Sequence, residues 1–90
     1  MDAKELEHNI KKFAYELNVD AKHCHPIPKD KLIVGQEYMG NCRNTCKATW
    51  KGEYFIYLRY KFGEEFYEKI NHYEDDNGYD VFVPIEIIKR

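Results

Sequence analysis

Ninety residues with 43% apolar and 33% charged side chains describe one globular domain, because a chain of this length buries about 60–65% of its unfolded surface, enough for a single core. The balance excludes a disordered chain, and a net charge of −2 lacks the Lys and Arg excess of a double-stranded nucleic-acid binder. No apolar run approaches the ~20 residues of a membrane span, Met1 to Lys12 holds no signal-peptide core, and an odd count of 3 cysteines suits a reducing compartment, so a cytoplasmic protein without membrane contact is expected.

Asp2 and Glu5 have the spacing of a capping box, in which each side chain satisfies an orphan amide at a helix start. Ala3, Leu6, Ile10, Phe13, Ala14 and Leu17 then recur at three- and four-residue steps as one apolar stripe, with Lys4, Glu7, Lys11, Lys12 and Glu16 outside it. Glu7 and Lys11 stand in the favourable order, and Asn18 is placed to supply a left-handed stop. The pattern predicts a helix over about residues 3–18. From Val19 to Lys31 the period vanishes, and Pro26 and Pro28 push their neighbours toward extended backbone, which reads as a linker.

After Lys31 the period becomes two. Gln36–Arg43, Thr45–Lys51, Tyr54–Phe62, Phe66–Tyr73 and Tyr79–Pro84 read as five strands, separated by Asn44, Lys51-Gly52, Gly63-Glu64 and the acidic turn Glu74 to Gly78. Connections this short predict antiparallel hairpins, since a parallel crossover needs a dozen residues or more. The expected fold class is α+β: a single domain over residues 1–90, with a helix (1–18), an extended linker (19–31) and a five-stranded antiparallel meander curled into a small barrel (32–90).

The stretch from Leu32 to Ile88 resembles an SH3-like small barrel, with its Gly-Gln-Glu-Tyr-Met-Gly opening, three hairpin-linked central strands and closing Asp-Val-Phe-Val-Pro. The resemblance is one of architecture over the last two thirds of the chain. It implies a binding module, by analogy of fold. Open edge strands in a lone barrel also lead us to expect a homodimer or higher oligomer.

Charge is segregated along the chain. Arg43, Lys47, Lys51, Arg59 and Lys61 face one acid, Glu53, in the interval 43–61, whereas Glu64 to Asp80 holds seven acids and only Lys69. In the strand Tyr54–Phe62, the row Tyr54, Ile56, Leu58, Tyr60 and Phe62 reads as the core face. Phe55, Tyr57, Arg59 and Lys61 then face water, rings followed by cations. Such a surface stacks a planar base and neutralises its phosphate, although plain amphipathic patterning produces the same alternation. Arg43 and Asn44 sit at the adjoining turn, where a guanidinium fork grips phosphate in two places.

The leading expectation is therefore a non-catalytic binding protein that holds an anionic, nucleotide-like small molecule through Arg43, Asn44, Trp50, Tyr57, Arg59 and Lys61. The alternative is a protein–protein interaction module, or a small inhibitor of the phage-borne, host-directed type, acting through the acidic end at His72, Glu74, Asp75 and Asp76. His23, His25, Cys42 and Cys46 are candidate zinc ligands, but the Cys-x-x-x-Cys spacing departs from the usual pattern, and polar-arm and half-buried-thiol roles explain them better. His-x-Glu at 72–74 lacks the downstream Pro-Cys-x-x-Cys of a zinc deaminase, and the acidic turn lacks calcium-loop spacing. With no phosphate-cradling loop and no nucleophile elbow, enzymatic activity has no support and no cofactor is called for.

Overall fold

The computed structural model describes residues 3–20, 25–42, 46–75 and 80–89. Helix α1 spans Ala3–Leu17 and turns Ile10 and Ala14 into the protein, with Leu6, Phe13 and Leu17 beside them. Its end is a Schellman motif: Asn18 adopts φ 56°, the Val19 amide donates to the Ala14 carbonyl at 2.9 Å, and the Asn18 amide donates to Tyr15 at 3.3 Å. The Glu7–Lys11 pair forms at 2.9 Å on the solvent side. The capping role of Asp2 lies outside the described residues.

The linker residue Ile27 donates its amide to the Pro84 carbonyl at 2.8 Å, which lays the arm along the last strand. A short 3-10 turn, Lys29–Lys31, follows. Five strands come next: β1 (Glu37–Asn41), β2 (Lys47–Trp50), β3 (Phe55–Lys61), β4 (Glu64–His72) and β5 (Val81–Ile87). They close into a barrel-like ring in sequence order, with β1 pairing both β2 and β5.

The expected meander was antiparallel throughout, and the ring departs from it at one seam. Strands that alternate in direction around a closed ring of five cannot all be antiparallel, so one neighbouring pair must run the same way. That pair is β4–β5, which meets only through Asn71↔Val81 and His72↔Phe82. At β1–β5 the register shifts between Met39 and Gly40, and a Cβ on Gly40 would overlap the Val83 carbonyl and come within 2.7 Å of the Phe82 ring.

Two apolar clusters flank β1. Tyr38 points into the ring with Ala48, Trp50, Phe55, Tyr57, Ile70 and Phe82, whereas Met39 points outward to Ile10, Ala14, Ile85 and Ile88 beneath α1. The ring interior is aromatic: Phe55 stands 4.8 Å from both Trp50 and Phe82, centroid to centroid. Each such side chain contributes about 1.5–3 kcal/mol by leaving water. No helix among the described residues is long and apolar enough to cross a membrane.

Strand β3 lies the other way up from the sequence expectation. Phe55 and Tyr57 are buried, while Leu58, Tyr60 and Phe62, assigned to the core from their alternation, are exposed. The cause is the register with β2: Phe55 pairs directly with the inward-facing Trp50, and cross-strand partners share a face. Only Thr49 and Trp50 pair with β3, so the ring covers the first part of β3 and ends before its apolar row does. The interior takes Phe55 and Tyr57 beside Trp50, and everything from Leu58 onward leaves the ring with β4.

Candidate interaction surface on the projecting hairpin

Strands β3 and β4 continue past the ring as a two-stranded hairpin, in register from Phe55↔Ile70 to Lys61↔Glu64. Phe62 and Gly63 join them with φ 53° and 80°, both positive, as a type I′ turn requires to match strand twist. Phe62 is an unusual occupant, because a bulky side chain in the left-handed region is disfavoured where Asn or Gly would be at ease. It is also 92% exposed, at the outermost point of the hairpin.

Alternation places Leu58 and Tyr60 of β3 on the outer face with Tyr67 and Glu65 of β4 directly opposite. Leu58 is 49%, Tyr60 71% and Tyr67 70% exposed, and Phe66 on the other face is 38% exposed. With Phe62, this hairpin carries five of the eight large apolar side chains that are exposed among the described residues. At the base of the outer face, the Lys69 ammonium lies 4.6 Å from the centroid of Tyr54.

The polar groups of the opposite face, beside Phe66, are internally satisfied. The Tyr57 hydroxyl and Arg59 Nη1 both donate to Glu68 Oε2, each at 2.7 Å. Burial, reinforced by the hydrogen bond to Glu68, pushes the Tyr57 phenol up to about 12. The hydrogen bond from Arg59 holds the Glu68 carboxyl below its usual range, and the same bond raises Arg59. These groups line a shallow, open cleft with Ile70, Asn71 and Asp80.

Four of the six sequence-predicted ligand residues are among the described residues. Arg43 and Asn44 lie outside the described residues. Trp50, 3% exposed, and Tyr57 have their ring faces in the core. Arg59 is engaged by Glu68. Lys61 is exposed, with its ammonium 5.4 Å from the Phe62 centroid. Two of the segregated charges meet opposite charges across the hairpin: Lys61 stands in register with Glu64, and Arg59 pairs with Glu68.

At the acidic end His72 turns inward while Glu74 stays exposed. Strand β4 stops at His72, and a 3-10 turn, Tyr73–Asp75, ends the alternation that the sequence suggested. His72 has no exposed surface: Nε2 lies 3.0 Å from the Ile27 carbonyl, and Nδ1 accepts the Glu74 amide at 3.1 Å. An acceptor at Nδ1 and a donor at Nε2 define one neutral tautomer. Burial lowers the affinity of His72 for a proton, against the opposing pull of the Ile27 carbonyl and of Glu74 and Asp75. Glu74 accepts the Lys29 amide at 2.9 Å, and Asp75 receives the Lys29 ammonium at 2.7 Å. Asp76 lies outside the described residues.

No protein-family model, curated protein or solved structure matches this chain. Its candidate site is therefore read from its own residues. Of the candidate metal ligands, His23 lies outside the described residues, His25 is exposed, and Cys42 and Cys46 are half-buried. Burial raises the Cys46 thiol. Among the described residues, no three His, Cys, Asp or Glu side chains come together as a metal site. The surface that sequence reasoning missed is the outer face of the hairpin. Its signal was the apolar row from Tyr54 to Phe62, which is longer than a small ring can cover.

Proposed function

We propose that this protein is a non-catalytic protein-interaction module that presents the β3–β4 hairpin to a partner. The observation that carries the reading is the concentration of exposed Leu58, Tyr60, Phe62 and Tyr67 on one projecting element. Clustered apolar surface of this kind on a small domain marks a docking site, and Tyr and Phe are preferred at the buried centres of interfaces. The ring is a rigid base for it, and the finer description as an SH3-like barrel agrees with a binding role by analogy.

A nucleotide-like ligand has less to hold it, since the Trp50 and Tyr57 rings lie inside and Arg59 is engaged by Glu68. At the acidic end His72 is buried and Glu74 and Asp75 already bond Lys29, whereas the apolar side chains of the hairpin stand open. Affinity capture from the cells that naturally express the protein, using wild type and a Tyr60→Ser/Tyr67→Ser variant, tests the proposal. Proteins retained by wild type and lost by the variant are expected. Identical capture by both, or a thermal shift with mono-, di- or cyclic nucleotides that disappears in Arg59→Ala, would overturn it.

A further inference from the structure

We infer that the outer face of the β3–β4 hairpin binds the same face of a second copy, the two hairpins packing antiparallel about a two-fold axis through the Leu58–Tyr67 pair. The inference rests on the hairpin being the interaction surface and names its occupant. Glu65, Tyr67 and Lys69 alternate onto the outer face, and all three are exposed. Strand rise places Glu65 and Lys69 each about 7 Å from Tyr67, on opposite sides along the strand.

A two-fold axis at Tyr67 therefore sets Glu65 of one copy against Lys69 of the other, twice. On β3 the same operation sets Tyr60 against Ile56 and brings the Phe62 tip over Tyr54, since their register partners are Glu65 and Lys69 for the first pair. Acid, apolar centre and base thus occur in an order that is its own complement when reversed, which is the requirement of an isologous interface. An unlike protein partner has no need of that symmetry.

The face is small. Two half-exposed-or-more Tyr and a Leu offer on the order of 400 Å², given about 150–250 Å² for a buried aromatic side chain. With Ile56, Tyr54, Phe62 and the flanking charges it reaches the low end of specific interfaces, about 600 Å² per partner. A reversible dimer with a dissociation constant in the micromolar range is expected, weaker at high salt because its charged edge is exposed.

Sedimentation equilibrium of the full chain, from about 5 µM to 1 mM, tests this directly with two charge reversals. Lys69→Glu sets acid against acid at both contacts, and Glu65→Lys sets base against base. Each variant alone is expected to dissociate at least about tenfold more readily. An equimolar mixture of the two is expected to form a heterodimer, and the double variant is expected to recover the wild-type constant. Circular dichroism and melting temperature of each variant separate a lost interface from a lost fold. A wild type that stays monomeric at 1 mM, or singles that dimerise as well as wild type, would overturn the inference. Hairpin-dependent capture of a different protein would then leave the interaction-module reading standing with another occupant.

Discussion

Phe62 is the residue at which local preference and the proposed docking role pull apart. Its φ of 53° places a bulky ring where a small polar residue or Gly is favoured, and its side chain packs on no core. Phe62→Asn is expected to raise stability by about 0.5–1 kcal/mol in urea denaturation, through relief of the left-handed strain. The same substitution is expected to weaken hairpin-dependent binding. Unchanged stability would show that the turn carries no strain.

His72 is the second residue with a definite consequence. Its proton affinity is lowered in the folded state by burial, so the unfolded chain, near 6.5, takes up the proton first. The folded state thus keeps its full stability above about pH 6.5 and loses it as pH falls, by up to about 1.4 kcal/mol per unit from this group. Protonation would also place a hydrogen on Nδ1, against the Glu74 amide. Urea midpoints measured from pH 8 to 5 should decline for wild type more steeply than for His72→Gln. Parallel declines in the two proteins would contradict the assignment.

Among the elements, α1 was the most legible in sequence. A stripe at Leu6, Ile10, Phe13, Ala14 and Leu17 can serve only one face, and Asn18 was the natural left-handed stop. Strand β3 was the least legible, because both of its rows are apolar as far as Leu58. What decided between them was the β2–β3 register, which sets Phe55 opposite Trp50, a tertiary fact that alternation does not encode. The turn before β4 was placed one residue late for a related reason, since Phe62 is an unexpected residue at the first position of a type I′ loop.

The hairpin's own stability comes from both strands of its polar face. The Tyr57 hydroxyl is partly buried and bonded to Glu68, so Tyr57→Phe is expected to cost about 0.5–1.5 kcal/mol. In wild type the phenol should resist ionisation until about pH 12, visible by ultraviolet titration as a late step that Tyr57→Phe removes. Beyond the ring, a two-stranded ribbon lacks the burial that protects β1 and β5. Amides from Leu58 to Tyr67 should exchange faster in the dilute monomer than those of Tyr38 to Asn41.

At the scale of the molecule, the order helix, arm, ring was readable from the change of period at Lys31, whereas ring closure was not. The parallel β4–β5 seam follows from closing an odd number of strands, and it spans only two residue pairs. The arm reinforces that seam: Ile27 bonds Pro84 of β5 through its amide and His72 of β4 through its carbonyl. Trp50 and Tyr57 of the sequence-predicted ring-and-cation face lie inside the ring, and Arg59 pairs with Glu68. Apolar residues enough for two surfaces were divided by the ring's edge, with Trp50, Phe55 and Tyr57 inside and Leu58, Tyr60, Phe62 and Tyr67 beyond it.

Site-specific photo-crosslinking in living cells asks which side of the molecule meets its partner. A benzophenone side chain at position 62 is compared with one at position 15, where Tyr15 of α1 is 89% exposed. Discrete protein adducts from position 62, and none from position 15, are the predicted result. Adducts from position 15 alone would contradict the assignment of the hairpin as the working surface.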